Sequence, residues 1–199
     1  GIAEERSEGM DDAQRALTPE GRQRTIAQMR HLVELDLSCD LVLSSPLVRA
    51  RQTAEPLAQV LGLPIATTPL LREIHVGELA GLTRAEAEAR FPSFLAEAAE
   101  DPWNARRPGG ESMADLARRL QAFLEEVPPG RHLVVTHGGV IRAALKLALD
   151  LAGDTWRRFH IQNTSITRIL YPENAVLTVA DAAHLEVWAD WLSDEDLKG

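Results

Sequence analysis

The sequence has a single cysteine, Cys39, and no run of apolar residues long enough to span a membrane. One cysteine excludes an internal disulfide and is typical of the reducing cytosol. Acidic side chains outnumber basic ones, 30 to 21, which gives a formal net charge of -9. This balance argues against a general nucleic-acid binder and restricts anion binding to a locally basic pocket. We therefore expect a cytoplasmic protein without a nucleic-acid or membrane partner.

The histidines show no His-x-x-x-His spacing, and we expect neither a metal nor another cofactor. With 199 residues, of which 45% are hydrophobic and 26% charged, the chain suits one α/β domain with a sizeable core. Since no internal repeat or long linker divides it, residues 1–199 are interpreted as a single domain.

Helix signals and strand signals alternate along the chain. Helix starts are predicted at Thr18-Pro19, Ser45-Pro46, Thr83 with Glu86, Ser112 and residue 139. Strands are predicted at residues 41–44, 133–135, 165–171 and 176–179, the second of them buried on both faces. The alternation predicts an α/β fold with a mostly parallel sheet and helices on both faces. Ligands of such sheets bind beyond the carboxyl ends of the strands.

The junction after the strand at residues 41–44 places Arg49 in the first turn of the following helix. A helix N-terminus has free N–H groups and attracts anions, and a guanidinium can bind two phosphate oxygens at once. Considered alone, Arg49 and Arg51 are better interpreted as solvated surface charges.

The junction after the strand at residues 133–135 reads Thr136-His137-Gly138-Gly139. The two glycines let the backbone approach a ligand closely, and the imidazole can donate a hydrogen bond to it. A structural histidine is the alternative for a lone residue of this kind. Because parallel strands end at the same edge of a sheet, we expect both junctions to converge on one anion pocket that holds Arg49, His137 and several amide groups.

The motifs at these junctions resemble those of the histidine phosphatase (phosphoglycerate mutase-like) superfamily. They are Ser45-x-x-x-Arg49-Ala50-x-Gln52-Thr53-Ala54 and Thr136-His137-Gly138-Gly139. Further matches in the same order are Leu17-Thr18-x-x-Gly21, Leu71-Arg72-Glu73-Ile74-x-x-Gly77-Glu78-Leu79-x-Gly81-Leu82-Thr83, Pro108-Gly109-Gly110-Glu111-Ser112 and Asn163-Thr164-Ser165-Ile166. The resemblance implies a phosphoglycerate mutase-like three-layer sandwich with a helical lid near residues 83–111.

The family takes its name from an Arg-His-Gly motif at the end of its first strand, whose histidine attacks phosphorus. Gly1 fits the glycine of that motif. We therefore expect that the first central strand, the arginine and the nucleophilic histidine are missing from this chain through truncation at the N-terminus.

The resemblance implies a two-step phosphoryl transfer through a phosphohistidine, without a metal. In that scheme Glu73 is the proton donor, Arg49 and His137 hold phosphoryl oxygens, and the N–H of Gly138 adds to them. Arg6 stands where many members carry a pocket asparagine, so it either contacts phosphate or is a surface charge. For Glu73 the alternative is an exposed acid in a loop.

The resemblance favours a phosphomonoesterase that acts on a small phosphorylated metabolite. The segment from Gly81 to Gly109 is short for a mutase of this superfamily, and Val76 stands where such mutases usually carry a substrate-binding tyrosine. A phosphoglycerate mutase is the second hypothesis. A non-catalytic phospho-ligand binding module is the third, if Gly1 is the true start.

Arg106 and Arg107 either contact an acidic substrate or are a solvated pair, and a homodimer is compatible with the sequence.

Overall fold

A computed structural model describes residues 2–4, 12–34 and 38–185 of the chain. Its centre is a parallel sheet of three short strands, β1 (Leu41–Ser44), β2 (Ile65–Thr67) and β3 (His132–Val135), in the order β2-β1-β3. In the pairing of β1 with β3, Ser44 lies opposite Val135. Both strands therefore end side by side, at the edge where the two predicted junctions leave the sheet.

Helices cover both faces of this sheet, so the predicted α/β class is confirmed. Neighbouring residues of β1 contribute to the cores on opposite faces of the sheet, because successive side chains of a strand point to opposite sides. Val42 packs with buried residues of α1 (Pro19–Glu34) and α2 (Val48–Leu61). Leu43 packs with buried residues of α5 (Met113–Glu126) and α6 (Gly138–Ala148).

Two of the predicted helix starts, those of α3 and α5, carry complete capping boxes. Thr83 begins α3 (Arg84–Arg90) by accepting a hydrogen bond from the amide of Glu86, whose carboxylate accepts the amide of Thr83 in return. Ser112 and Asp115 make the same exchange at the start of α5. Each exchange satisfies two amides that a helix start would otherwise leave unpaired. A further helix, α4 (Pro92–Glu100), completes the segment at residues 83–111, whose role as a lid stays a prediction.

The predicted start of α2 at Ser45-Pro46 is wrong by two residues. The helix begins at Val48, after Leu47, whose backbone is extended with ψ of 138°. The hydroxyl of Ser45 accepts the amide of Leu47 at 3.3 Å and contacts His137, so this segment is held outside the helix.

The prediction that the strand at residues 133–135 is buried on both faces is also wrong. In β3, Val135 is buried but Val134 is 37% exposed. Among the described residues β3 pairs with β1 alone, so a neighbouring strand shields it on one side only. The absence of a first central strand from this chain stays a prediction.

The two strands predicted near the C-terminus form an antiparallel hairpin of their own. They are β4 (Ile166–Leu170) and β5 (Ala175–Asp181), and Leu170 pairs with Ala175 across the turn. Within the described part of the chain, this hairpin pairs with no strand of the parallel sheet. No helix of the described residues is both long enough and apolar enough to cross a membrane.

Candidate active site

The two strand-to-helix junctions meet directly. The amide of Ser45 donates to the carbonyl oxygen of Val135 at 2.9 Å, and the Oγ of Ser45 lies 2.8 Å from the Nε2 of His137. Arg49 follows Ser45 by four residues, in the first turn of α2. The structure therefore brings together the two side chains that the sequence proposes for an anion pocket.

His137 is 9% exposed, and its ring is held in one orientation by Ser45. Burial, with a further contribution from the positive charge of Arg49, lowers the pKa of His137 from 6.5 to about 3. The imidazole is therefore neutral at pH 7. The Oγ of Ser45 also accepts the amide of Leu47 at 3.3 Å, so the hydroxyl that holds the ring is itself held by the backbone.

Arg49 is also 9% exposed, and both of its terminal nitrogens face one residue, Asp12. Its Nη1 donates to the backbone oxygen of Asp12 at 2.8 Å, and its Nη2 donates to the Oδ2 of Asp12 at 3.0 Å. Arg15 pairs with the other carboxylate oxygen of Asp12 at 2.9 Å. A phosphoryl group that binds Arg49 must share the guanidinium with Asp12 or displace it.

The carboxylate of Glu73 lies against the N-terminus of α6. One oxygen accepts the amide of Ile74 at 2.9 Å, and the other accepts the amide of Gly139 at 3.2 Å. A Cβ atom on Gly139 would lie 2.3 Å from Oε1 of Glu73, so the missing side chain makes room for the carboxylate. Gly138 is the first residue of α6 and separates Gly139 from His137. The candidate acid therefore lies at the same junction as the candidate anion pocket.

The two arginines before the glycine-rich loop have different surroundings. The side chain of Arg106 is 67% exposed and pairs with Asp115 at 2.9 Å. Arg107 is partly buried, and its Nη1 donates to the backbone oxygen of Glu111 at 2.9 Å. Burial lowers the pKa of Arg107, against the opposing effect of the carboxylates of Glu73 and Glu111. Arg106 is thus a solvated residue, whereas Arg107 lies within the electrostatic reach of Glu73.

Four residues of this region escaped the sequence analysis as parts of the site: Asp12, Ser45, Glu111 and Arg119. Ser45 was visible only as a helix start and as the first residue of the Arg49 motif, and nothing local marks Asp12. Arg6 lies outside the described residues. Among the described residues, no group of three or more His, Cys, Asp or Glu side chains is arranged to hold a metal ion.

Comparison with known proteins matches this arrangement to one family. The model of the histidine phosphatase superfamily (branch 1) matches residues 3–181. A probable phosphoglycerate mutase GpmB of Escherichia fergusonii is 34% identical over 200 residues, which cover 92% of this chain and 89% of that protein. The corresponding protein of Erwinia tasmaniensis is 31% identical over 195 residues, with coverages of 92% and 89%.

Solved structures with the same fold include a phosphatase. The native structure of mycobacterial glucosyl-3-phosphoglycerate phosphatase has a TM-score of 0.69 and 29% identity, and the match covers 84% of each chain. Bacillus stearothermophilus YhfR has a TM-score of 0.73 and 25% identity, over 87% of this chain and 88% of its own. The family match spans both junctions and nearly the whole described chain, and we conclude that this chain belongs to the histidine phosphatase superfamily, branch 1.

Proposed function

We propose that this protein is a phosphomonoesterase that transfers the phosphoryl group of a small phosphorylated metabolite to a histidine and then to water. The observation that carries the proposal is the meeting of the two junctions. Arg49 supplies a nearly buried positive charge beside His137, and the carboxylate of Glu73 accepts the amide of Gly139, two residues after His137. A cation, an imidazole and a carboxyl group thus lie at one edge of the sheet, and phosphoryl transfer uses groups of these kinds.

In the first step, the histidine nitrogen attacks phosphorus and the bond from phosphorus to the ester oxygen breaks. Arg49 and His137 stabilise the charge on the equatorial oxygens, with the amide of Gly138, while Glu73 protonates the departing alkoxide. In the second step, water gives a proton to the carboxylate of Glu73 and attacks the phosphohistidine, which releases phosphate and restores the histidine. The nucleophile in this proposal is the histidine of the family's Arg-His-Gly motif, so turnover is assigned to protein that contains that residue.

His137 enters this cycle as a neutral ring. A bound dianion next to the ring raises the pKa of His137, but a nearby opposite charge is worth roughly 1–3 pKa units. Starting from about 3, the ring therefore stays largely neutral at pH 7. The neutral ring carries one N–H, which donates a hydrogen bond to an oxygen that gains charge in the transition state.

The second candidate is a phosphoglycerate mutase, and the names of the curated relatives favour it. The short segment from Gly81 to Gly109 and the presence of Val76 favour a phosphatase instead. A cytoplasmic location and a homodimer belong to the proposal for either activity.

One assay separates the hypotheses. Protein expressed with an Arg-His pair and a preceding strand before Gly1 is incubated with 3-phosphoglycerate and with glycerol 3-phosphate, and both inorganic phosphate and isomerised product are measured. The phosphatase proposal predicts release of phosphate, with loss of turnover in Glu73→Gln. Isomerisation without phosphate release would establish the mutase. Binding of phosphate without turnover of any ester would support the non-catalytic module.

A further inference from the structure

An ion pair lies behind the segment that carries Glu73. Arg119, on α5, binds the carboxylate of Glu111 with two nitrogens, Nε to Oε1 at 2.9 Å and Nη2 to Oε2 at 3.1 Å. The side chains of Arg119 and Glu111 are only 16% and 23% exposed. Two parallel hydrogen bonds between charged partners fix the orientation of both side chains, which a single contact does not.

Further hydrogen bonds of this pair reach the backbone on both sides of Glu73. Arg119 donates to the carbonyl oxygen of Leu70 at 2.7 Å and to that of Glu73 itself at 3.3 Å. Glu111 accepts the amide of His75 at 2.9 Å through its carboxylate, and its own amide donates to the carbonyl oxygen of His75 at 2.8 Å. The pair thus holds the backbone at Leu70, at Glu73 and at His75, on both sides of the acid.

The backbone of the glycine-rich loop is in close contact with this segment. A Cβ atom on Gly110 would lie 2.4 Å from the carbonyl oxygen of His75, and one on Gly77 would lie 2.0 Å from the carbonyl oxygen of Pro108. The two segments therefore cannot slide past each other without steric overlap, and a shift of Glu111 is passed directly to the residues around Glu73.

The carboxyl group of Glu111 is charged at neutral pH. Burial acts to raise the pKa of Glu111, but the hydrogen bonds from Arg119 and from the amide of His75 outweigh it, and the pKa lies below its ordinary value. Glu111 is therefore a carboxylate at neutral pH, and removal of either charge leaves the other one partly buried without its partner.

We propose that Glu111 and Arg119 are positioning residues that hold the carboxyl group of Glu73 against the amide of Gly139, from where it can reach the leaving oxygen. The pair does not touch the reacting atoms in this account. It acts through the backbone of residues 70–75, and its catalytic consequence rests on the proposed function of Glu73.

The geometric part is tested on the chain itself, without turnover. In ¹⁵N-labelled protein, Glu73→Gln should shift the amide signals of Gly139 and Ile74, because it removes the charge from the group to which both amides donate. We expect this effect of Glu73→Gln on Gly139 to be lost in the Glu111→Gln background, which keeps the shape of residue 111 and removes its charge, while the signals of the core remain dispersed. Arg119→Lys, which keeps the charge and loses the two-fold contact, should reduce it. The control is Arg106→Gln, because this exposed neighbour pairs with Asp115 and contacts neither residue 70 nor residue 73. An unchanged Gly139 shift in both variants at the positioning pair would overturn the proposal.

The catalytic part is tested in protein that carries the nucleophilic histidine, by comparing two esters. Hydrolysis of glycerol 3-phosphate needs protonation of a strongly basic alkoxide, whereas p-nitrophenolate leaves without it. We expect Glu111→Gln and Arg119→Lys to slow the alkyl ester at least about tenfold more than the aryl ester, since general acid catalysis is worth roughly 10²–10⁴ in rate. In the Glu73→Gln background, the same substitutions should have no further effect on the alkyl ester.

The outcomes separate this inference from the function on which it rests. Equal slowing of both esters by the positioning variants would show a merely structural role. If Glu73→Gln itself slows both esters equally, the proposed role of Glu73 as the acid fails, whereas the Gly139 shifts still decide whether the pair holds its carboxylate.

Discussion

The Oγ of Ser45 lies 2.8 Å from the Nε2 of His137, although 92 positions separate the two residues. The contact joins the ends of β1 and β3 and fixes the orientation of the ring of His137. It also places the neutral imidazole beside the charge of Arg49, which helps to lower the pKa of the ring after burial has done most of the work. The pocket therefore combines the permanent charge of Arg49 with a neutral hydrogen-bonding ring at His137.

Acid should destabilise the fold through His137. Its pKa is 6.5 in the unfolded reference state and about 3 in the folded chain. Above pH 6.5 the ring is neutral in both states and adds no pH dependence. As the pH falls from there towards about 3, the unfolded chain takes up a proton that the folded chain excludes, so the free energy of unfolding falls by up to about 1.4 kcal/mol per pH unit. Urea unfolding at several pH values should show a shallower slope for His137→Asn. The same slope in both proteins would contradict the assignment.

Asp12→Asn should strengthen the binding of inorganic phosphate. Asp12 accepts hydrogen bonds from both terminal nitrogens of Arg49, and its carboxylate also repels an incoming anion. Its side chain is 31% exposed, so we expect a gain of up to about fivefold in affinity, equivalent to roughly 1 kcal/mol for an ion pair of this exposure. Calorimetric titration measures it. Glu20→Gln is the control, because it removes the same charge from an exposed pair with Arg24. Weaker binding in Asp12→Asn would mean that Asp12 orients Arg49 and does not compete for it.

Gly139→Ala should displace the Glu73 carboxylate at little cost in stability. The new Cβ meets the flexible end of Glu73 at 2.3 Å, which can move, and alanine is favoured over glycine in a helix by about 1 kcal/mol. We expect an unchanged or higher melting temperature together with a selective loss of activity on alkyl esters. In Gly138→Ala the Cβ lies no closer than 3.5 Å to its nearest neighbour, Arg142, so the ratio of alkyl to aryl ester hydrolysis should stay that of the parent. A ratio unaffected by Gly139→Ala would argue against Glu73 as the acid.

The parts of the fold that sequence reasoning predicted are those with local signals. Capping residues predicted the starts of α1, α3 and α5. Gly62 ends α2 in the left-handed conformation, with φ of 67°, which glycine adopts readily. The three residues of β2 escaped because a mostly exposed run of this length has no recognisable period. The burial of Val134 was predicted wrongly because it depends on the neighbours of β3 and not on its own sequence.

The candidate site divides in the same way. Arg49, Glu73 and His137 were found because each lies in a motif beside a strand or a glycine-rich turn. Asp12 lies 37 positions from Arg49, and Arg119 lies 46 positions from Glu73, so both contacts exist only once the chain has folded. A carboxylate or a guanidinium without a local pattern looks like any surface charge in a sequence.

The central claim is that Arg49 and His137 together hold one phosphoryl group, and the binding of inorganic phosphate to the chain tests it most directly. Calorimetric titration of Arg49→Gln at neutral pH should show affinity at least about tenfold below that of the parent, since a hydrogen bond to a charged group is worth about 1.5–3 kcal/mol. Arg51→Gln changes the same charge on the exposed side of α2 and should bind phosphate as the parent does. Equal affinity of Arg49→Gln and Arg51→Gln for phosphate would contradict the account.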